Sequence, residues 1–152
     1  MPEAIEAAAQ RGVDVGHLRS TPIEREAIEA ADLVLTVAAE HRDEILHIEP
    51  EAEPKTFTLK ELVRLLAALP EAARGTGPDG ALARIADAHR LRSGPDAPPI
   101  PDEDISDPLG LGIQTYRAKA WEIEGNVDAL IRGLFGVEEP APASAVAWDR
   151  ED

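Results

Sequence analysis

Apolar positions in this chain recur mostly three or four apart, and one run breaks that rhythm. From Ala31 to Val37 the residues are Ala-Asp-Leu-Val-Leu-Thr-Val, almost continuously apolar and β-branched at Val34, Thr36 and Val37. Such a run predicts a strand buried on both faces, as in a parallel sheet covered by helices. Helical patterns lie on either side of it. Pro2 to Arg11 predicts a helix, with Ile5 and Ala8-Ala9 on one side, a proline at its start and Gly12 at its end. A loop from Val13 to Ser20 follows. Thr21-Pro22-Ile23-Glu24 has capping-box spacing with proline in the first helical position, which predicts a second helix running to about Ala30. After the strand, Glu40 to Ile48 predicts a helix with Ile45 and Ile48 on one side and charges on the other.

Pro50 and Pro54 then break the chain, and Lys55-Thr56-Phe57-Thr58-Leu59 predicts a second, shorter strand. Thr58 and Glu61 repeat the capping-box spacing and open a strongly apolar helix to Leu69, stopped by Pro70. Residues 71–80 read as a Gly/Pro-rich loop, ending at Asp79 as the cap of a helix from Gly80 to Leu91 with Leu82, Ile85, Ala86 and His89 on its apolar side. Ser93 to Ile105 holds four prolines and reads as an extended linker. The longest helix spans Ile113 to Leu134, where Ile113, Tyr116, Ala120, Ile123, Val127, Leu130 and Leu134 form one stripe. Gly125 inside it costs about 1 kcal/mol relative to alanine, tolerable in a packed helix. From Val137 the sequence reads as an acidic disordered tail. The division is therefore an α/β domain over residues 1–136 and a tail over 137–152.

Helix, strand, helix, strand is the order of an α/β fold, in which sites sit beyond the carboxyl ends of the strands. The segment after Val37 is the first place to look for chemistry. Two strands make an incomplete parallel sheet, because each parallel strand wants neighbours and helical cover. Either further strands escape the pattern or other polypeptide supplies them.

At 152 residues and 43% hydrophobic, the chain suits one globular domain, and its five aromatics leave the core to Leu, Ile, Val and Ala. A net charge of −15 argues against nucleic acid or an anionic membrane as the main partner. The sequence contains no cysteine, which excludes disulfides, zinc thiolate sites and a cysteine nucleophile within these residues. No apolar run approaches the roughly 20 residues that span a bilayer. The start, Met-Pro-Glu-Ala-Ile-Glu, lacks the basic and apolar regions of a secretory signal, so cytoplasm is the expected location.

Several residues invite a chemical reading beside a plainer one. Asp107 in Asp107-Pro108-Leu109-Gly110 is a carboxyl at a loop edge that suits a general acid, with Asp102, Glu103 and Asp104 close by to raise its proton affinity. On residues alone Asp-Pro reads first as a turn and helix lead-in. Arg19, after His17 and Leu18, suits an anion or a surface salt bridge. Glu40-His41-Arg42 falls just past the first strand, although Glu40 is explained by the helix dipole alone. His41 and His47 are six apart and cannot share a helix face as metal ligands, and His89 is isolated, so neither a metal nor a cofactor is expected. Gly75-Thr76-Gly77-Pro78 lacks the preceding strand that a phosphate loop requires.

With these residues in view, the chain resembles the low-molecular-weight protein tyrosine phosphatases, especially the longer actinobacterial type. The resemblance runs through Pro2-Glu3-Ala4, Gly12-Val13-Asp14-Val15, Arg19-Ser20-Thr21-Pro22-Ile23, Ala31-Asp32-Leu33-Val34-Leu35-Thr36, Glu40-His41-Arg42, Phe57-Thr58-Leu59 and Ile105-Ser106-Asp107-Pro108 with the long helix after it. It implies a four-stranded parallel sheet flanked by helices, of which two strands are retained here. It implies a phosphate loop carrying a nucleophilic cysteine and an arginine, with Asp107 as general acid and base. The substrate implied is a phosphotyrosine-bearing protein or a small phosphate ester. The first strand, phosphate loop, first helix and second strand of the family would all precede Met1, so the expectation is a domain truncated at its N-terminus and inactive as written. Leu109 stands where the family usually places an aromatic, and Leu18 occupies the position of a histidine that is displaced here to His17. The alternative is a non-catalytic binding or regulatory module that completes its sheet through a partner or a homodimer at the open strand edge.

Overall fold

The computed structural model describes residues 2–70, 77–100 and 102–136. The expected acidic tail over 137–152 and most of the loop over 71–80 lie outside the described residues. In chain order the elements are α1 (Pro2–Ala9), α2 (Arg25–Ala30), β1 (Val34–Thr36), α3 (Ala39–Ile48), a 3-10 helix (Pro50–Lys55), β2 (Thr56–Thr58), α4 (Leu59–Ala68), α5 (Gly77–Arg92) and α6 (Ile113–Phe135). The fold is α/β: a two-stranded parallel sheet, with Leu35 opposite Phe57, flanked by helices. No helix among the described residues is long and apolar enough to cross a membrane.

The apolar pattern divides the core in two. Val34 joins Ile28, Ile45 and Ala52 in a small cluster between β1, α2, α3 and the 3-10 helix. A larger cluster gathers Phe57 of β2, Leu62, Leu65 and Leu66 of α4, Ile85 of α5 and Leu130 and Leu134 of α6. The capping box expected at Thr58 and Glu61 is present: the Thr58 hydroxyl accepts from the Glu61 amide at 3.1 Å and the Glu61 carboxylate accepts from the Thr58 amide at 3.3 Å. At Gly133 α4 and α6 pack closely: a Cβ would stand 3.0 Å from the Leu66 side chain, which would have to shift to admit one.

β1 is shorter than the Ala31–Val37 run and leaves Leu35 exposed where the run predicts burial on both faces. Three further boundaries and one helix face also differ from expectation. The Thr21–Glu24 box is not a cap; α2 begins at Arg25 behind an extended Glu24. Ile23 is exposed, so a turn starting at Thr21 would bury nothing to offset nucleation. Arg25 instead fixes the helix start, donating to the Ile48 carbonyl at 3.0 Å and pairing with Glu49 at 2.9 Å. The break at Pro50 and Pro54 is a 3-10 helix, and α5 begins at Gly77, ahead of the expected Asp79 cap. The buried face of α5 carries Ala81, Arg84, Ile85 and Ala88, while Leu82 and Ala86 face solvent.

Arg84 explains that rotation. Its side chain is fully buried, and its guanidinium donates to the carbonyls of Leu66 (3.0 Å), Pro70 (3.2 Å) and Gly133 (3.0 Å). The last turns of α4 and α6 leave carbonyls without helical partners, and a guanidinium with several donors satisfies both ends at once. Arg84→Met strands those acceptors in the core and is expected to lower the unfolding free energy by about 3 kcal/mol. Leu82→Ala on the exposed side of the same helix is expected to cost under about 0.5 kcal/mol. Denaturant titration checks both; an Arg84→Met midpoint equal to that of the parent would show that the clasp contributes no stability.

Candidate functional site

The segment after β1 meets the end of the proline-rich linker. The Val37 carbonyl accepts from the Ile105 amide at 2.7 Å, and the Ala39 amide donates to the Asp104 carboxylate at 2.8 Å. Ala38, at the start of α3, has no side chain able to cap, so Asp104 supplies the capping oxygen from 65 residues away. An anion there also meets the positive end of the helix dipole. Three residues after Asp104, Asp107 accepts from the Leu109 amide at 2.9 Å, and Leu111 donates to the Pro108 carbonyl at 2.9 Å. Gly110 follows at φ +79°, a backbone conformation that favours glycine. The structure thus holds exposed Asp107 in a tight turn beside the carboxyl end of β1.

Beneath this turn an ionic network fixes the linker. Arg42 donates to Glu103 at 2.7 Å and reaches Glu61 at 3.4 Å. Burial works against the Arg42 charge, but the Glu103 hydrogen bond and the fields of Glu103, Glu61 and Asp43 outweigh it and hold its pKa above the ordinary value. Glu61 also faces Arg92 at 3.6 Å, and Arg92 donates to the Thr56 carbonyl at 2.9 Å while lying over the Phe57 ring at 4.4 Å. Lys60 binds Asp102 at 3.1 Å, Glu122 of α6 at 2.6 Å and the Asp104 carbonyl at 2.7 Å. The carboxylates of Asp102, Glu103 and Asp104 each have a partner other than Asp107.

Asp107 opens onto a groove of about 830 Å³ between α1, α6 and the tip of β1. Ala4, Ala8, Val37, Ala120, Ile123 and Val127 supply much of its apolar wall, and Glu40 and His41 stand at its mouth with Asp104 and Asp107. Tyr116 is buried at one end, where loss of water contact and then the charges of Glu3 and Asp107 push its phenol pKa up. The α6 stripe is therefore buried at Tyr116, Leu130 and Leu134 but uncovered at Ile123 and Val127. None of the described residues between 62 and 100 lines this groove; α5 packs on α4, α6 and the 3-10 helix.

The other sequence candidates separate from it. Arg19 donates to the Gly16 and Leu18 carbonyls of its own loop, and His17 lies 4.0 Å from Asp14. Arg42 points into the network, away from the groove. His89 is not isolated: its ring stands 3.2 Å from Arg92 and 3.5 Å from Glu53. No cluster of three or more metal-ligating side chains occurs among the described residues. Sequence reasoning missed Asp104 as a cap and Glu61 as a buried anion. The box at Thr58 gave a signal for the second, and nothing local gave one for the first.

Residues 1–69 match the family model described as low molecular weight phosphotyrosine protein phosphatase, a stretch that does not include Asp107. A protein-arginine-phosphatase of Geobacillus stearothermophilus is 31% identical over 125 residues, covering 82% of this chain and 60% of that protein. A protein-arginine-phosphatase of Bacillus subtilis is 37% identical over 62 residues, 41% of each chain. The chain thus spans 60% or less of the length of the curated relatives it matches. No solved structure matches it.

The Lys60 node carries a pH dependence. Hydrogen bonding to Lys60, then its field, holds the Asp102 carboxyl below its ordinary value, and Lys119 and Lys60 do the same for Glu122. A carboxylate whose pKa falls on folding stabilises the fold above its unfolded pKa, and that stability is lost as pH drops through the folded value. The gap in melting temperature between the parent and Lys60→Met is therefore expected to be full near neutrality. It should close progressively as pH falls below the ordinary Glu122 value of 4.5. Melting curves from neutral to strongly acid pH check this; a gap unchanged at the acid end would remove these pairs from the account.

Proposed function

The chain belongs to the low molecular weight phosphotyrosine protein phosphatase family, and on that premise we propose that it forms the proton-transfer part of a cytoplasmic phosphate-hydrolysing site. Asp107 is the general acid and base. The observation that carries the reading is the join of Ile105 and Asp104 to the end of β1, which holds Asp107 at the carboxyl edge of the sheet. In the complete site that the family resemblance implies, a thiolate attacks phosphorus, forming an S–P bond as the bond to the leaving group breaks. Asp107 gives its proton to the departing oxygen or nitrogen. As a carboxylate it then takes a proton from water, whose oxygen attacks phosphorus and releases inorganic phosphate and the thiolate.

The polypeptide of 152 residues holds no cysteine and hence no such nucleophile. The reading is therefore that it is inactive by itself. The substrate class is a protein phosphorylated on tyrosine or a small phosphate ester, and the names of the bacterial relatives add proteins phosphorylated on arginine. A second reading, favoured by the two-stranded sheet and the uncovered part of the α6 stripe, is a non-catalytic module that completes its sheet with a partner or by dimerisation.

The unmodified chain is expected to release no phosphate above buffer from p-nitrophenyl phosphate or a phosphoarginine peptide. Joining a strand, a Cys-x5-Arg loop, a helix and a second strand of the family type ahead of Met1 is expected to create turnover. Asp107→Asn in that fusion should lower kcat on the order of 10²- to 10³-fold. Phosphate release measured for the three proteins decides the matter: turnover by the unmodified chain sinks the inactivity, and an undiminished Asp107→Asn fusion sinks the role of Asp107.

A further inference from the structure

The two strands do not treat their outer edges alike. β2 is wholly buried, its Thr56 carbonyl accepts from Arg92 and its Thr58 amide donates to Glu61. Among the described residues β1 pairs with β2 alone, and Leu35 and Val37 are 40% and 41% exposed. Val37 stands in the wall of the apolar groove, so strand edge and groove are continuous. An extended segment there would gain main-chain hydrogen bonds from the strand and apolar cover from α1 and α6.

Charge selects among occupants. At the mouth, the carboxylates of Glu40, Asp104 and Asp107 form no ion pair with a Lys or Arg among the described residues. His41 stands 3.9 Å from Glu40, and Lys60 is bound to the Asp104 carbonyl, Asp102 and Glu122. Further along, Arg11 is taken by Glu124 and Lys119 by Glu122. A second copy would bring another net charge of −15 against this corner.

We propose that this groove binds an extended, β-branched segment of a separate polypeptide that adds a strand to β1 and sets Lys or Arg against Glu40, Asp104 and Asp107. The inference rests on the second reading above and not on hydrolysis, so failure of the phosphatase reading leaves it standing.

The test uses the purified chain and a fluorescein-labelled peptide of alternating Val and Thr ending in two lysines. A companion peptide ends in two glutamates. Fluorescence anisotropy is expected to show saturable binding of the lysine peptide and at least tenfold weaker binding of the glutamate peptide. Ile123→Lys and Val127→Lys, at partly exposed groove positions, should each weaken binding at least tenfold with the far-UV circular dichroism unchanged. Backbone amide exchange at Leu35 to Val37 should slow when the lysine peptide is bound. Binding of neither peptide, equal binding of both, or peptide binding that both groove variants retain would overturn the proposal. So would sedimentation showing a concentration-dependent dimer that Ile123→Lys dissolves. Should one variant unfold, the other and the exchange measurement still decide.

Discussion

The Glu61 carboxylate is the charge on which the arrangement of the site depends. It is almost completely buried at the N-terminus of α4, where an unpaired carboxylate would cost several kcal/mol. The Thr58 amide, Arg42 and Arg92 together surround it. Those partners come from α3, from the end of α5 and from the last residue of β2, so satisfying one anion fixes three elements relative to α4. Arg42, held in this way, also holds Glu103 and with it the end of the linker that leads to Asp107. The position of the candidate acid follows from charge pairing beneath it more than from any contact of its own side chain.

Lys60 extends the same logic to α6. Through Asp102, Glu122 and the Asp104 carbonyl it ties the linker to the long helix, while Asp104 ties it to α3. The linker carries four prolines and little regular structure. Proline removes backbone donors and limits the conformations the unfolded chain must lose, and side-chain anchors supply the register that a ladder would otherwise give. An extended segment is in this way placed with the definition of a strand.

Periodicity made the order of elements legible, because a buried strand between helical patterns leaves a strong local signal. It failed where a distant partner decides the outcome. Thr21–Glu24 and Thr58–Glu61 have the same spacing, yet only the second caps a helix, since Leu62, Leu65 and Leu66 give that helix a core to enter and Ile23 has none. Arg84 reads as a surface residue in any hydropathy pattern, and only the helix ends around it show why it is buried. Asp107 is visible in the sequence as a carboxyl at a loop edge and takes its acid role from the family resemblance, whereas the Asp104 cap on α3 spans too much sequence for spacing to reveal it. The stripe on α6 is apolar as its periodicity predicts, but periodicity cannot say whether something covers it.

The unequal division of the core has a consequence for how the molecule opens. Eleven buried residues hold α4, α5 and α6 with β2, and Arg84 closes their ends; only four hold β1 against α2, α3 and the 3-10 helix. Excursions that expose β1 therefore leave the helical body intact and cost less than global unfolding. By this packing the sheet margin is expected to open before the helical frame, which places the softer side of the molecule beside the groove and not beneath it.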